Sequence, residues 1–419
     1  MKQPLKNIAK LVFLLFLLGI EKGNSQQSYP YDLPQYSFIN YRTNILNFPG
    51  DSSSYNKLFE KFTKLVTKGE GQLNVVHLGD SHIQADIFSG RMRERLQTFV
   101  PGLIGGRGFV FPYSVAKTNN PQNYKTSYNG TWEWCKNVET KKNCELGLSG
   151  ISITSNDTAA FVTLVLNRKT LPVYDFNKVK VFHSTDSFSY KILVNGIVGE
   201  TAENNNLTGF TDYYLPEYSD SICLSFAKTD SIQNYCTIHG ISLETSDPGV
   251  VYHSLGINGA NVNSFRYCSL FSPHLQAINP DWIIISMGTN DGYVAKLDSL
   301  LLEENFGKLV DLAREKFPEI PVLITVPGDN YRYRKTPNQN NKYIRNLIFR
   351  IAKEKNCAVW DFYTVMGGYR SVNYWEKENL AAGDKLHFTS KGYILQGDLL
   401  FTAFLKSFDN YLEKTDLPE

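Results

Sequence analysis

Two kinds of local pattern alternate along this chain, and their order limits the fold more than any other feature. Residues 51–109 and 250–408 alternate apolar, strand-like runs with segments of helical periodicity. About 140 residues between them, 110–249, show short β-prone runs separated by Asn, Asp, Gly and Ser turns, with no convincing helix. The first pattern indicates a parallel sheet covered by helices, and the second indicates an antiparallel β-sandwich. The simplest organisation of the 419 residues is one α/β domain interrupted by an inserted β-domain.

Apolar spacing predicts the elements of the α/β part. The run Trp282-Ile283-Ile284-Ile285-Ser286-Met287 is nearly continuous, as in a strand that is covered on both faces. The predicted strands are 73–78, 282–287, 320–326 and 358–362, and the predicted helices are 51–69, 86–100, 299–317, 340–355 and 390–408. In the middle segment the predicted strands include 161–166, 179–183, 190–194 and 221–226.

The N-terminus has the pattern of a secretory signal peptide. Lys2, Lys6 and Lys10 precede an apolar run over 11–20, and Gly23-Asn24-Ser25 supplies small residues for cleavage. The run is too short for a membrane anchor, and no Cys stands at the expected cut, so nothing suggests a lipoprotein. We therefore predict that 1–25 is removed and that the protein is exported, to the periplasm or to the extracellular or cell-surface space.

Composition excludes some classes of function. Hydrophobic residues make up 42% and charged residues 20% of the chain, which is a globular balance. The formal charge of +2 becomes −1 without 1–25, because that segment holds four lysines and one glutamate. Such a charge is too small for a nucleic-acid footprint, and no run reaches the ~20 apolar residues that a membrane span needs.

Six cysteines are present, and export would permit disulfides. They allow 15 full pairings, among which sequence does not choose. Cys135 with Cys144, and Cys223 with Cys236, are each close enough in sequence to bridge neighbouring strands.

Candidate catalytic residues follow predicted strands. Ser81 comes directly after strand 73–78 and before a helix, and reactive groups in open α/β sheets collect at the carboxyl ends of the strands. A serine needs a base to act as a nucleophile at neutral pH. Asp384-Lys385-Leu386-His387 offers an imidazole with a carboxylate three residues earlier, which can orient one ring nitrogen while the other faces Ser81.

A tetrahedral oxyanion also needs hydrogen-bond donors. Gly288-Thr289-Asn290-Asp291 places the amide of Asn290 after the strand 282–287. Gly256-Ile257-Asn258-Gly259-Ala260 offers an unshielded backbone N–H in another loop, at either Gly256 or Gly259.

These four blocks, in this order, resemble the SGNH/GDSL hydrolase superfamily over about 200 residues. The resemblance implies a flavodoxin-like three-layer α/β/α fold, with Ser81 as nucleophile, His387 as its base and Asp384 as the third triad member. It implies an oxyanion hole made by Ser81, Gly259 and Asn290. Gly79-Asp80-Ser81-His82, followed by an inserted β-domain, is similar to secreted peptidoglycan O-acetylesterases, in which the insert resembles a carbohydrate-binding module.

Other residues and motifs of the sequence bear on this site. His82 could line the pocket or pack beside Ser81, and Arg107, in the turn-like Gly105–Phe109 run, could meet a substrate carboxylate or serve only the turn. His77, inside the first strand, is expected in the core. Gly-x-Ser-x-Gly, His-Glu-x-x-His, Cys-x-x-Cys and Gly-rich phosphate loops are all missing from the sequence, so we predict neither a metal nor an organic cofactor.

The resulting hypothesis is a secreted serine esterase that removes small acyl groups, above all acetyl, from a polysaccharide such as peptidoglycan. Two alternatives stay open at this point: a polysaccharide O-acetyltransferase that uses the same residues, and a non-catalytic polysaccharide-binding protein. The sequence does not show the sugar, the ester position or the oligomeric state.

Overall fold

The computed structural model describes residues 30–139, 144–196, 202–205 and 209–415, so the predicted signal peptide lies outside the described residues. Residues 30–34 and residues from Gln35 onward belong to two separate units, and all elements below belong to the second. Its strands are, in chain order, β1 (Leu46–Asn47), β2 (Gln72–Gly79), β3 (Gly106–Val110), β4 (Tyr124–Asn129), β5 (Glu133–Lys136), β6 (Ile151–Ser155), β7 (Phe161–Leu166), β8 (Phe176–His183), β9 (Lys191–Val194), β10 (Ala202–Asn205), β11 (Phe210–Ser219), β12 (Ser221–Ala227), β13 (Cys236–Glu244), β14 (Gly249–Gly256), β15 (Trp282–Ser286), β16 (Val322–Thr325), β17 (Tyr331–Arg332), β18 (Thr336–Pro337) and β19 (Ala358–Trp360).

Helices alternate with the strands mainly outside the 106–256 segment. They are α1 (Ser53–Lys68), α2 (Ser81–Gln84), α3 (Phe88–Gln97), α4 (Phe271–Ile278), α5 (Thr289–Gly292), α6 (Ser299–Arg314), α7 (Asn340–Glu354), α8 (Phe362–Val365), α9 (Val372–Lys377) and α10 (Ser390–Lys414), with short 3-10 segments at Tyr41–Thr43 and Ser264–Tyr267.

A six-stranded sheet forms the centre of the α/β part, in the order β1-β19-β16-β15-β2-β14. Its strands run parallel except β1, which pairs antiparallel with β19 at one edge. Numbered by chain position, the five parallel strands follow the order 2-1-3-4-5, which is that of flavodoxin-like folds. In such sheets the strand order reverses beside the first strand, here between β2 and β15, and ligands bind there at the carboxyl ends. The predicted fold class is confirmed.

Helices cover this sheet on both faces, which explains the continuous apolar run of β15. Trp282 stacks on Phe404 of α10 with ring centroids 5.0 Å apart. Ile283 and Ile285 belong to the same buried cluster as Phe306 of α6, on the opposite side of the strand. A strand between two helical layers has no solvent face, so both of its faces are apolar.

Two antiparallel sheets form the β-domain. One has seven strands (β10-β11-β8-β13-β6-β5, with β3 also paired to β13), and the other has four (β4-β7-β12-β9). Alternate residues of β12, namely Ile222, Leu224 and Phe226, are buried. The hydroxyl of Tyr213 in β11 donates to the carbonyl of Ile192 in β9, so the two sheets face each other as a sandwich.

Residues 106–110 belong to the seven-stranded sheet of the sandwich. The predicted turn at 105–109 is wrong, because residues 106–110 form β3, which pairs with β13. Gly108 has φ +75°, and a Cβ there would lie 2.4 Å from the Tyr252 carbonyl oxygen of β14. This glycine therefore allows β3 to pass directly against the parallel sheet. The predicted domain limits, 26–109 with 250–419 and 110–249, stay a prediction.

The cysteines follow the prediction only in part. Cys135 and Cys144 form a disulfide. Cys223 and Cys236 are free, and their predicted pairing is wrong because Cys223 lies in the four-stranded sheet and Cys236 in the seven-stranded one. In the part of the chain that the structure describes, no helix has the length and apolar character needed to cross a bilayer.

Candidate active site

Ser81 lies at the first position of α2, directly beyond the carboxyl end of β2. The turn between them is tight, since a Cβ on Gly79 would lie 2.1 Å from a side-chain carbon of Ile83. The Asp80 carboxylate caps the helix by accepting the His82 N–H at 3.0 Å. This arrangement holds the Ser81 hydroxyl at the edge of the sheet where the strand order reverses.

Three side chains are joined in a hydrogen-bonded series. Ser81 Oγ lies 2.9 Å from His387 Nε2, across 306 residues of sequence. His387 Nδ1 lies 2.7 Å from Asp384 Oδ2. The imidazole thus stands between a hydroxyl and a carboxylate, as an oriented general base requires.

The loop that carries His387 is held by Asp384. Its second oxygen, Oδ1, accepts the N–H groups of Leu386 at 2.9 Å and His387 at 3.0 Å. Burial alone would raise the pKa of Asp384, but these hydrogen bonds, led by that from the His387 ring, lower it below its usual value. Asp384 therefore stays ionised and keeps a proton on Nδ1 of His387.

Asn290 lies in α5, directly beyond β15. Its Nδ2 donates to the Ala260 carbonyl at 2.8 Å and is 3.4 Å from Asp80 Oδ2. The first contact ties Asn290 to the loop after β14, and the second is too long to bind its other hydrogen firmly.

The structure gives different roles to the two candidate glycines of this loop. Gly256 ends β14, and a Cβ there would lie 2.0 Å from the Gln84 nitrogen, so packing explains this glycine. Gly259 has φ +82° with open space around its Cα. Among the described residues, the backbone N–H groups of Ser81 and Gly259 donate to no protein acceptor. Both remain available to a ligand.

Two buried carboxyl groups lie behind Ser81 and Asn290. Burial, with a smaller contribution from the neighbouring Asp291, raises the pKa of Asp80 to about 7, although the hydrogen bond from the His82 N–H lowers it. Burial likewise raises the pKa of Asp291 to about 6, although both of its oxygens accept the Val262 N–H at 3.2 Å. Both carboxyl groups therefore keep their protons to a higher pH than exposed aspartates do.

His82 packs beside the site. Its Nδ1 lies 2.9 Å from the Tyr393 hydroxyl, and its ring centroid lies 5.2 Å from that of His387. Burial, with a smaller contribution from His387, lowers the pKa of His82 to about 3. A neutral His82 lies between Tyr393 and His387 and supports the position of the His387 ring.

The predicted substrate contact of Arg107 is wrong. Arg107 is buried in β3, and its Nη2 contacts Asp86 Oδ2 at 2.5 Å and Asn123 Oδ1 at 3.0 Å. A guanidinium engaged in this way inside the protein does not reach a substrate. The Gly-rich run around it had suggested an exposed turn.

His77 is a satisfied core residue, as expected. Its ring nitrogens lie 2.7 Å from the hydroxyls of Tyr252 and Ser286. Among the residues that the structure describes, no group of three or more His, Cys, Asp or Glu side chains is arranged to hold a metal ion.

Gln84 was missed by sequence reasoning. Its Oε1 accepts the Asn258 N–H at 2.7 Å, and its Nε2 donates to the Thr118 hydroxyl and the Asn119 carbonyl at 3.0 Å each. Gln84 therefore fixes the loop of Gly259 to the start of the sandwich. No sequence signal marks it, because its partners are distant in the chain.

The chain therefore combines a flavodoxin-like sheet with a serine, a histidine and a carboxylate at its carboxyl edge. Residues 228–395 match the sequence model of the GDSL-like Lipase/Acylhydrolase family. The matched segment contains Asn290, Asp384 and His387, whereas Ser81 precedes it. The predicted resemblance to the GDSL hydrolases and the prediction of a hydrolase of the carboxylesterase class are confirmed.

One solved structure is similar in fold over most of the chain, and two others match part of it. The chain is similar to a peptidoglycan O-acetylesterase, with a TM-score of 0.71 and 21% identity, over 87% of this chain and 99% of that one. It is also similar to a lipase/acylhydrolase from Enterococcus faecalis (TM-score 0.31, 20% identity, 39% of this chain and 78% of that one). A putative acylhydrolase from Bacteroides fragilis gives a TM-score of 0.30 with 19% identity, over 38% of this chain and 76% of that one. No curated protein matches the chain.

Proposed function

We propose that the protein is a serine esterase that removes O-acetyl or other small acyl groups from a cell-envelope polysaccharide, with acetylated peptidoglycan as the first candidate. The observation that carries the proposal is the hydrogen-bonded series Ser81–His387–Asp384. The similarity in fold to a peptidoglycan O-acetylesterase over nearly the whole of both chains supports the choice of substrate.

In the proposed mechanism, Ser81 Oγ attacks the ester carbonyl while its proton passes to His387 Nε2. Asp384 holds the other ring nitrogen and stabilises the imidazolium that forms. The tetrahedral oxyanion accepts hydrogen bonds from the backbone N–H groups of Ser81 and Gly259 and from the side-chain amide of Asn290, one hydrogen of which is only loosely bound within the protein. The bond between the acyl carbon and the sugar oxygen then breaks, the imidazolium gives its proton to that oxygen, and the sugar leaves as an alcohol while the acyl group stays on Ser81.

Water completes the cycle. His387 takes a proton from a water molecule, the resulting hydroxide attacks the acyl-serine, and the carboxylic acid departs as Ser81 recovers its proton. Each residue that takes part belongs to this chain, and the scheme requires no oxidant or reductant. The sugar hydroxyl and the acid are the two products.

Export and the role of the sandwich belong to the same proposal. The pattern of 1–25 supports a cleaved signal peptide, which would place the enzyme in the periplasm or outside the cell, with its polymer substrate. We propose that the β-domain holds the polysaccharide, so that binding energy remote from the ester helps to position it. N-terminal sequencing of the exported protein, with Gln26 as the expected first residue, tests the cleavage.

The catalytic proposal is tested with an aryl acetate. Ser81→Ala is expected to lower kcat by about 10⁴-fold or more, and Asp384→Asn by about 10⁴-fold, because each removes one member of a unit that acts together. Ser231→Ala, at an exposed serine of the sandwich, is the matched control and should retain the wild-type rate. Equal rates for wild type and Ser81→Ala would eliminate the mechanism.

The substrate is tested by acetate release from purified acetylated peptidoglycan and from acetylated xylan. Faster release from peptidoglycan is expected, and it should continue without any added sugar acceptor. Acetate release that required an acceptor would instead identify an acyltransferase.

A further inference from the structure

A small hairpin stands at the rim of the candidate site. Its strands β17 and β18 pair through Arg332 and Thr336, and residues 333–335 form the turn. Tyr333 and Arg334 have φ of +51° and +62°. Two bulky residues in the left-handed region are costly in a position that glycine or asparagine fills more easily. Such strain persists only where the surroundings enforce it, and it is concentrated at functional sites.

The hairpin is anchored to both loops that carry site residues. On one side, Tyr333 N–H donates to the Tyr293 hydroxyl at 2.6 Å, and Arg332 donates to the Val294 carbonyl at 2.5 Å. Tyr293 in turn donates its N–H to the Asn290 carbonyl at 3.2 Å. On the other side, Tyr331 N–H donates to the carbonyl of Lys385, two residues before His387, at 2.9 Å. The hairpin therefore bridges the Asn290 loop and the His387 loop.

An aromatic surface is exposed at this bridge. Tyr333 is 74% exposed, and its ring meets that of Tyr293 edge-on, with centroids 5.3 Å apart. An exposed tyrosine offers an apolar ring face together with a hydroxyl. A sugar ring has the matching character, since one of its faces is made of C–H groups and its edge carries hydroxyls.

The hairpin is also strongly basic. Its sequence, Tyr-Arg-Tyr-Arg-Lys-Thr-Pro over 331–337, contains three cations and no acid. Arg334 and Lys335 are exposed. A local cluster of this kind attracts polymers that carry carboxylates. It stands out in a chain whose charges otherwise nearly balance.

We propose that the hairpin 331–337 is a polymer subsite, at which a sugar ring next to the acylated one packs on Tyr333 and Tyr293 while Arg334 and Lys335 face carboxylates of the same glycan. This inference rests on the proposed function and specifies its substrate as an anionic glycan longer than one sugar. The continuity of the hairpin with the Asn290 and His387 loops places the subsite beside the reacting ester.

Tyr333→Ala tests the subsite with the full-length enzyme. The ratio of kcat/KM for soluble acetylated peptidoglycan fragments to kcat/KM for an aryl acetate is expected to fall 5- to 10-fold, through a higher KM for the fragments. Tyr343→Ala is the matched control, since Tyr343 is 61% exposed but lies in a separate groove with Tyr363 and Tyr369. An unchanged ratio for Tyr333→Ala, or an equal fall for both variants, would overturn the inference.

Charge is tested by Arg334→Gln with Lys335→Gln. We expect the KM for the anionic fragments to rise at low salt and the difference from wild type to shrink at high salt. The KM for neutral acetylated chitooligosaccharides should stay the same. Equal effects on both substrates would contradict the proposed preference for an anionic glycan.

Failure of the proposed function is distinguishable from failure of the subsite. If wild type and Ser81→Ala hydrolyse the aryl acetate at the same rate, the proposed esterase mechanism is wrong. Binding of the glycan fragments to Ser81→Ala, with and without Tyr333→Ala, then tests the subsite alone, and equal affinities would overturn it.

Discussion

The burial of a single residue, Asp80, changes the protonation of the candidate site. It stands one residue before Ser81, where sequence alone would read an exposed capping carboxylate, yet it is 1% exposed and its pKa is raised to about 7. The unfolded chain releases this proton near pH 4. Between about pH 4 and 7 the native protein therefore binds more protons at Asp80 than the unfolded chain does.

The free energy of unfolding should consequently decrease as the pH rises through this window. Asp80→Asn removes this titrating group, so the free energy of unfolding of the variant should decrease less than that of wild type between pH 4 and 7. Urea unfolding at several pH values measures the effect. Asp230→Asn, at an exposed turn, is the control and should keep the wild-type slope. A variant curve parallel to that of wild type would contradict the raised pKa.

The sequence predicted which side chains of the site lie close together, but it did not predict the contacts of every residue around them. The rule that strand ends share one edge of a parallel sheet placed Ser81 and Asn290 together. The proximity of His387 and Asp384 to Ser81 followed from the spacing of the carboxylate before the imidazole and from the family resemblance. Arg107 was misread because a Gly-rich run looks like a turn, whereas its glycines permit close strand packing. The contacts of Gln84 and His82 depend on partners far away in the chain, and no local pattern reveals them.

At the scale of elements, the helix α2 determines the position of Ser81 in the candidate site. Two glycines make room for it, one at the end of β2 and one at the end of β14. Gly79→Ala would force a Cβ into Ile83 and displace the helix that carries Ser81. We expect a loss of about 1–3 kcal/mol in stability and, since a small displacement of a catalytic group is costly, about a 10²-fold loss in kcat.

Gly307→Ala is the matched control for this substitution. Gly307 lies within α6, where a Cβ would meet only the end of the Lys355 side chain, 3.7 Å away. Alanine favours a helix interior, so this variant should be about 0.5–1 kcal/mol more stable and fully active. Thermal unfolding and aryl acetate turnover measure both variants. Equal behaviour of the two would show that the tight turn at Gly79 is unimportant.

Long periodic elements were predictable, and short ones were not. The strand predicted at 161–166 is β7 as observed, and the helix predicted at 340–355 ends one residue earlier. The last helix continues to Lys414, six residues beyond its predicted end. Strands of two residues, such as β17, have no periodicity to detect, so the hairpin at the rim appears only in three dimensions.

At the scale of the whole molecule, one buried ionic cluster joins the sandwich to the parallel sheet. Asp86 Oδ2 accepts from Arg93 of α3 at 3.0 Å, from Arg107 of β3 at 2.5 Å and from Asn123 before β4 at 2.6 Å. Burial would raise the pKa of Asp86, but the two guanidinium groups lower it far below its usual value. The carboxylate is therefore charged and offsets part of the charge of two buried cations.

Asp86→Asn leaves these cations uncompensated and should cost about 3–5 kcal/mol of unfolding free energy. Arg168→Gln is the control, because it breaks a pair with Asp220 at the surface and should change stability by no more than about 0.5 kcal/mol. Denaturant unfolding compares the two variants with wild type. A similar small effect for both would show that the cluster does not hold the sheets together.

The order of strands across the central sheet has a consequence for biosynthesis. β2 is flanked by β14 and β15, and the first of these pairs Gly249 with Gln72, 177 positions earlier. A nascent chain therefore presents Ser81 long before either neighbouring strand has been made. The sandwich, whose strands follow one another in the chain, can assemble first. If the proposed mechanism holds, activity begins only after translation has passed His387, 306 residues beyond Ser81.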